Sequence, residues 1–481
     1  MGNLFYQPEQ AWVGDLIPYY DNGKYYAFYL HDPRIFDDKY AEDTTWHLVT
    51  TDDFINVEYK GEAIKRGGVN DFNKNIYTGS VIKDNEGLYH AFYTAFNEDK
   101  KLNGDMAVQT VMKAVGYDLE HLKTVEDFLF ASDGLIYEEF DWRDPFVFWV
   151  AEESCYYMIM ASRTKGAGEL RGGCISLSKS TDLIHWTHEQ PFYEPHMYIT
   201  MECPEVFQMG EYWYLIFSTF SDQFTTHYRY AKDLNGPWLI PEDDVFDTRA
   251  NYAIKTASDG DKRFAFGWVA SKKGETDFGA WDWGGTMIFH EIIQEKNSPI
   301  LRVIPVPKLK DYYSKVMYPE QFTRFNNHSK QINGITSETL GASLIESPYE
   351  DFSLQIKLTI NASSEFGIAL HTDPGLEKGY FLRMYPHQEM MAWDFWPRGE
   401  KGPFQWQIKG DVPYQVETAR ALPDIEQLEI LVIKEKDICV VYVNDQVALS
   451  TRMYNHKGGY LGAYVIQGEL LIDDLVLKTK K

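Results

Sequence analysis

The feature that most constrains the fold of this chain is an internal repeat. Five segments each begin with a short polar or acidic signature, run into a strand, turn at Gly, Asp or Asn, and return through an aromatic-rich strand. They begin at Gly14, Thr78, Arg143, Glu202 and Lys255. These starts lie roughly 55 to 65 residues apart, which leaves room for the four strands of a propeller blade in each repeat.

Second hairpins between these segments supply the remaining strands of the repeat. They begin at Trp46, Gly173 and Tyr228, and each pairs a strand with an Asp-centred turn and a second strand. Four strands per repeat and five repeats predict an all-β, five-bladed β-propeller. A single β-sandwich with similar tyrosine-rich strands is the alternative, but a sandwich does not require regular spacing between four-stranded units.

The repeat stops near residue 307, and a different all-β unit follows. After a connector over 308–320, alternating apolar stretches such as Phe352–Ile360 and Ile438–Val443 are typical of strands. No long helical periodicity interrupts either part. We therefore expect a five-bladed β-propeller over 1–307, followed by a C-terminal β-sandwich over 321–481.

Charge and composition limit the class of partner. The chain has 46 basic and 72 acidic residues, for a net charge of −26, which argues against nucleic acid and anionic membrane surfaces. Aromatic residues make up 16% of the chain, and such rings suit strands and stack on sugars. A neutral, small oligosaccharide is the partner we expect. The pattern leaves the oligomeric state open.

The N-terminus shows no basic and apolar leader, and no apolar run approaches the ~18 residues of a membrane span. We therefore expect a cytoplasmic protein, or a secreted one if a leader has been trimmed. The cysteines show no C-x-x-C spacing, so we interpret them as reduced core thiols and expect no metal and no cofactor. They are Cys155, Cys174, Cys203 and Cys439.

Three of the five inner strands begin with a carboxylate. Asp15 ends a Trp-Val-Gly-Asp block, Asp144 lies in Trp-Arg-Asp-Pro, and Glu202 lies in Glu-Cys-Pro. Inner strands line the channel of a propeller, so these side chains are expected to converge at one mouth. Glycoside hydrolysis needs two carboxyl groups, and a third can orient sugar hydroxyls. The alternative is that the two Asp residues only form turns and that Glu202 is a solvated strand end.

The ordered blocks Trp-x-x-Asp, Trp-Arg-Asp-Pro and Glu-Cys-Pro, followed by Trp-Gly-Gly-Thr from Trp283 and a sandwich, resemble glycoside hydrolase family 32, the invertases, inulinases and levanases. The resemblance covers essentially the whole chain. It implies retaining hydrolysis of β-fructofuranosides, with Asp15 as nucleophile, Asp144 as the group that stabilises the transition state, and Glu202 as acid/base. The substrate-binding residues that it implies are Trp12, Trp46, Thr78, Ser80, Arg143 and Trp283.

The chain departs from this family around the expected nucleophile. The family block is usually Trp-x-Asn-Asp-Pro-Asn-Gly, whereas here Gly14 precedes Asp15, and Leu30 stands where a Gln is common. Two polar contacts to the fructosyl unit are therefore expected to be missing. His31 and Asp32 are either replacements for them or ordinary loop residues. We expect a substrate with a different pattern of hydroxyls.

Two other classes of protein fit parts of the pattern. An inverting family 43-type enzyme that acts on arabinose or xylose units also uses Asp, Asp and Glu in that order, but Glu-Cys-Pro, Trp-Gly-Gly and the sandwich favour the fructosidase. A non-catalytic carbohydrate-binding descendant is the second alternative, since the nucleophile block is altered. Transfer to a sugar acceptor shares the same glycosyl-enzyme as hydrolysis.

Overall fold

A computed structural model describes residues 4–33, 44–101, 109–317, 321–397, 419–423 and 426–480. The regular secondary structure of these residues is almost entirely antiparallel strand. Their helical segments are three single 3-10 turns, at Lys273–Glu275, Leu309–Asp311 and Pro386–Gln388. Among them, no helix is long and apolar enough to cross a membrane.

Five sets of strands follow one another along the chain, each with its strands in sequence order across the set. The first comprises β1 (Trp12–Asp21), β2 (Lys24–Asp32), β3 (Thr45–Thr51) and β4 (Glu58–Ile64). The second comprises β5 (Asn75–Lys83), β6 (Tyr89–Phe96), β7 (Gln109–Gly116) and β8 (Lys123–Thr124). The third comprises β9 (Tyr137–Val150), β10 (Cys155–Thr164), β11 (Gly173–Ser180) and β12 (Thr187–His188).

The fourth set comprises β13 (Glu202–Met209), β14 (Tyr212–Thr219) and β15 (Thr225–Ala231). The fifth comprises β16 (Asn251–Ser258), β17 (Arg263–Lys272), β18 (Trp281–Gln294) and β19 (Leu301–Ile304). The ring is joined where Val13 of the first set pairs with Gly285 of the fifth. Each set is one blade, so the predicted five-bladed β-propeller is confirmed. Blade four has three strands where four were expected, and isolated bridges to β15 at Leu239 and Val245 take the place of the fourth.

Apolar side chains fill the space between successive blades. Phe28 and Trp46 of blade one pack with Tyr93 of blade two, and the same kind of contact recurs between blades two and three and between three and four. A fourth cluster joins blades four, five and one, and includes Trp268. The aromatic richness of the repeat is therefore explained by packing between blades.

The C-terminal unit is a β-sandwich, as predicted. Its strands are β20 (Lys315–Met317), β21 (Thr323–Phe325), β22 (Gly334–Glu346), β23 (Phe352–Thr372), β24 (Gly379–Tyr385), β25 (Met390–Trp396), β26 (Arg420–Ala421), β27 (Gln427–Glu435), β28 (Ile438–Val443), β29 (Val447–Arg452) and β30 (Tyr460–Thr479). The long strands β23 and β30 pair along most of their length and shift register at bulges, so both layers share them. Their inner faces enclose one apolar core.

β20 lies inside the segment expected as a connector, and it pairs with β30 of the sandwich. Residues 318–320 of that segment lie outside the described residues. The division of the chain at 307 and 320 stays a proposal.

The sandwich packs on the propeller through its β27–β29 layer. Ile433 and Val440 join the apolar cluster of blades four, five and one. Arg452 donates to the carbonyl oxygens of Val269 and Ala270 at 2.8 and 2.6 Å. Both carbonyls follow Trp268 on β17. The sandwich therefore supports the blade five strand that carries part of the site described next.

Candidate active site

A β-bulge lies near the start of the inner strand in every blade. The register of pairing shifts there in β1, β5, β9, β13 and β16. The residues skipped by the shifts are 14–15, 77–78, 144–145, 203–204 and 253–254. Bulges redirect side chains. Asp15 and Thr78 are the second residues of their bulges, Asp144 is the first residue of its bulge, and Glu202 directly precedes the bulge of blade four.

Three of these bulges contain a residue other than glycine in the left-handed region. The φ angles are 59° at Asp144, 50° at Cys203 and 54° at Ala253. Such backbone is unfavourable for most L-residues and clusters at functional sites, where the surrounding structure enforces it. The proline after Asp144 and the proline after Cys203 fix the chain as it leaves each bulge.

Asp15 is held by donors from two other blades. The Thr78 hydroxyl donates to Asp15 Oδ2 at 2.5 Å, and the Trp268 indole Nε1 donates to Asp15 Oδ1 at 3.0 Å. The Cys203 thiol also points at Asp15 Oδ2, 3.7 Å away. Each carboxylate oxygen thus accepts from a fixed donor, so the orientation of the side chain is set.

Asp144 is joined to the same cluster through Cys203. The backbone N–H of Cys203 donates to Asp144 Oδ2 at 2.9 Å, while the backbone N–H of Asp144 donates to the Thr94 hydroxyl at 2.7 Å. Asp144 is 4% exposed. Cys203 thereby contacts both Asp15 and Asp144, and it follows Glu202 directly in the chain. The structure brings the three predicted carboxylates together at one mouth.

Glu202 has one neutral and one cationic neighbour. The Tyr252 hydroxyl donates to Glu202 Oε2 at 2.6 Å, and Arg143 Nη2 donates to Glu202 Oε1 at 3.1 Å. Arg143 in turn is held by Asp141 and by the Thr200 hydroxyl. The two oxygens of Glu202 therefore face different partners, one of which carries a positive charge.

The protonation of the cluster follows from burial and crowding of negative charge. Burial and the carboxylate of Asp144, with a smaller contribution from Glu202, raise the pKa of Asp15 to about 6, while its hydrogen bonds to Thr78 and Trp268 act in the opposite direction. Burial also raises the pKa of Asp144, opposed chiefly by the Arg143 guanidinium. At neutral pH Asp15 is therefore mostly ionised.

Tyr252 stays protonated in this environment. Burial and the Glu202 carboxylate hold the pKa of Tyr252 well above its ordinary value. Its ring stacks on Phe224 with centroids 4.3 Å apart. Tyr252 is thus a fixed donor to Glu202.

Two of the predicted binding residues are buried beneath the site. Trp46 has no exposed surface, and its indole donates to the backbone carbonyl of Tyr77, next to Thr78, at 2.9 Å. The Ser80 hydroxyl accepts from the backbone N–H of Val147 at 3.0 Å and so links the inner strands of blades two and three. Both residues support the mouth from below and do not form its surface.

Trp12 and Trp283 remain partly exposed. Trp12 lines a cavity of about 720 Å³ where the propeller meets the sandwich, together with Gln7 and Tyr454. Trp283 lies over Gly14, and it packs edge to face with Trp268 at a centroid distance of 5.9 Å. Trp283 therefore lies one ring away from Asp15.

Leu30, His31 and Asp32 lie at or beside a position where the sequence departs from the family pattern. Leu30 is 1% exposed and packs with Phe28 and Trp46, so it has no surface to offer a ligand. Asp32 is equally buried. His31 stacks on His47 at a centroid distance of 3.9 Å, and burial lowers the pKa of His31. Leu30 thus belongs to the core and offers no polar contact, and the loss of a contact to the fructosyl unit relative to the family stays a prediction.

Sequence reasoning missed Trp268 and Tyr252. Neither carries a charge, and each reaches the cluster from blade five, far along the chain from Asp15 and Glu202. Tyr252 lies directly before the fifth bulge, in the position that Glu202 holds in blade four, so the repeat alignment contained a signal for it.

Two expected absences concern metals and disulfides. Among the described residues, no group of three or more His, Cys, Asp or Glu side chains could hold a metal ion. The four cysteines are buried free thiols.

Glycoside hydrolysis requires a pair of carboxyl groups, and the mouth of this five-bladed β-propeller holds three, Asp15, Asp144 and Glu202. The model of the glycosyl hydrolases family 32 N-terminal domain matches residues 5–302. The chain therefore belongs to glycosyl hydrolase family 32. This match favours the prediction of a fructosidase over the family 43-type alternative.

Known relatives extend along the whole chain. Sucrose-6-phosphate hydrolase of Escherichia coli is 24% identical and covers 94% of this chain and 90% of its own length. The solved structure of sucrose-6-phosphate hydrolase from Lactobacillus gasseri superposes with a TM-score of 0.73 at 18% identity, covering 100% of this chain and 93% of that one. Fructan 1-exohydrolase IIa from Cichorium intybus superposes with a TM-score of 0.73 at 13% identity, covering 100% and 97%. At such identities the superpositions establish the shared fold.

Proposed function

We propose that this chain is a retaining β-fructofuranosidase that acts on sucrose-like or fructan-type oligosaccharides through a covalent fructosyl-enzyme. The observation that carries the proposal is the position of Asp15 among the three carboxylates of the mouth, with each of its two oxygens oriented by a neutral donor from another blade. A carboxylate held in that way can attack an anomeric carbon. Glu202 is the second carboxyl group that the reaction requires.

In the first step an Asp15 oxygen forms a bond to the anomeric carbon of the fructosyl unit. The bond from that carbon to the leaving oxygen breaks, and Glu202 gives its proton to this oxygen. Arg143 Nη2 lies 3.1 Å from Glu202 Oε1, and the planar guanidinium can also donate to the hydroxyls of a bound sugar.

In the second step Glu202 acts as a base. It removes a proton from a water molecule, the water oxygen bonds to the anomeric carbon, and the ester bond to Asp15 breaks. Tyr252 holds Glu202 in position throughout, since its hydroxyl donates to the other oxygen. Asp144, fixed by Cys203, accepts from sugar hydroxyls and stabilises the cationic transition state.

The substrate class follows from relatives that span nearly the whole chain. A sucrose-6-phosphate hydrolase and a raffinose invertase, both of Escherichia coli, are similar over 94% and 98% of it. We assign the same class of bond, the β-fructofuranosidic bond, to this protein. A cytoplasmic location accords with the relative whose named substrate is a sugar phosphate, because such charged molecules do not cross a lipid bilayer unaided.

Methanolysis tests the proposal. Sucrose, raffinose, inulin and levan are incubated with the protein in the presence of methanol, and NMR identifies the anomer of methyl fructofuranoside. A retaining enzyme gives the β anomer. Formation of the α anomer would establish inversion, and no cleavage of any fructoside would support the non-catalytic alternative. The Asp15→Asn variant is the control, in which no product is expected.

A further inference from the structure

Gly14 and Trp283 form a matched pair beside the predicted nucleophile. A Cβ atom built on Gly14 would lie 2.2 Å from Trp283 Cη2 and 2.6 Å from Cζ2, and 3.1 Å from Leu30 Cβ. These distances are far shorter than a van der Waals contact. Any side chain at position 14 therefore requires Trp283 to move, and the indole occupies the space that such a side chain would fill.

The exposed surface at this point is the indole itself. Trp283 is partly exposed, whereas Leu30 behind it is buried. Trp283 also packs against Trp268, whose indole nitrogen donates to Asp15. A sugar bound with its anomeric carbon at Asp15 thus meets an apolar ring on the side of the β1 strand.

An indole ring treats sugar atoms differently from a polar side chain. Its carbon surface stacks well on apolar C–H groups. The Trp283 atoms nearest Gly14 are the ring carbons Cη2 and Cζ2, which cannot hydrogen-bond a hydroxyl, whereas the indole N–H lies elsewhere on the ring and can only donate. A hydroxyl buried against these carbons without a partner weakens binding of the transition state by roughly ten- to a hundred-fold. The pair therefore disfavours a hydroxyl at this point and tolerates an apolar group.

We propose that Trp283 is a specificity-determining residue, and that it selects fructosides whose fructosyl unit is deoxygenated or O-substituted on the edge that faces Gly14. This inference rests on the proposed function, because it assumes that a fructosyl unit binds at Asp15. It names the substrate class that the site prefers among fructosides.

The test compares sucrose with monodeoxy and mono-O-methyl sucroses modified at each fructosyl hydroxyl in turn. For the wild-type protein we expect at least one analogue to exceed sucrose in kcat/KM by roughly ten-fold. The double variant Gly14→Asn with Trp283→Ala restores a polar side chain in the vacated space, and it should reverse that order. Trp283→Phe keeps an apolar ring and should retain the wild-type order.

Trp149→Ala serves as the matched control, since Trp149 is exposed on the third blade and 45% of its surface is accessible. It should leave all ratios unchanged. A wild-type protein that cleaves sucrose at least as well as every analogue overturns the inference and leaves the proposed function intact. Failure to cleave any fructoside overturns both. If the double variant does not fold, the wild-type and Trp283→Phe ratios decide the outcome.

Discussion

Replacing Asp15 by Asn is expected to stabilise the fold at neutral pH while it removes turnover. The folded protein raises the pKa of Asp15 from 3.8 to about 6, so the ionised form is less favourable in the folded than in the unfolded chain. One pKa unit corresponds to about 1.4 kcal/mol, which gives a penalty of about 3 kcal/mol above pH 6. Asn removes this charge.

The net gain is smaller than the penalty, because Asn has one acceptor oxygen where Asp15 has two. One of the hydrogen bonds from Thr78 and Trp268 is therefore lost, at about 1 kcal/mol. We expect the variant to be more stable by about 1–2 kcal/mol at pH 8. For a chain of this size that corresponds to a rise in Tm of about 2 °C.

The stability difference between the two proteins should depend on pH in a definite direction. A group with a raised folded pKa contributes stability that is fully present below its unfolded pKa and is lost as pH rises through its folded pKa. The wild-type protein should lose this contribution between about pH 4 and 6, whereas the variant does not titrate there. The stability difference should therefore be full at pH 8 and vanish toward pH 4.

Calorimetry of both proteins from pH 4 to 8 measures this difference. The control is Asp261→Asn, because Asp261 lies in an exposed turn and its substitution should leave Tm unchanged at every pH. A variant that is less stable than wild type at pH 8, or a difference that does not change with pH, would refute the reasoning.

The remaining predictions concern the acid limb, the acid/base and the interface. The kcat/KM for a fructoside should fall as pH drops through about 6, because Asp15 must be ionised. Thr78→Val should shift this fall to higher pH, since it removes a hydrogen bond that lowers the pKa of Asp15. A pH–rate profile that is the same in both proteins contradicts this. Tyr252→Phe should lower kcat by roughly ten-fold or more, since Glu202 loses its fixed donor. The Tm of this variant should equal that of the wild-type protein. Arg452→Met should destabilise the protein by about 3 kcal/mol, because Asp437 and two blade five carbonyls lose their partner, and urea unfolding with a wild-type midpoint would count against it.

The fold was largely predictable because its signal is repeated five times. Each inner strand starts with a recognisable signature, and the spacing of those signatures predicts four-stranded blades. The convergence of Asp15, Asp144 and Glu202 follows from the same regularity, since the starts of the inner strands in a radial fold share one mouth. Residues that are far apart in sequence therefore lie close together, because every repeat places its inner strand at the same channel.

Other parts of the site could not be predicted from local sequence. Trp268 and Tyr252 contact Asp15 and Glu202 only because blade five closes against blades one and four. Trp46 has the same local character as an exposed pocket tryptophan, and only the packing between blades one and two shows that it is buried. Side-chain burial depends on the partner surface, which the sequence of one strand does not contain.

Capture of the covalent intermediate tests the central claim most directly. The wild-type protein is mixed with a fructoside that carries a good leaving group, the reaction is quenched in acid within milliseconds, and peptic fragments are analysed by mass spectrometry. We predict one added fructosyl unit on the fragment that contains Asp15, and none on that fragment in Asp15→Asn. A burst of product with no fructosyl adduct, or an adduct on a fragment that lacks Asp15, would contradict the account.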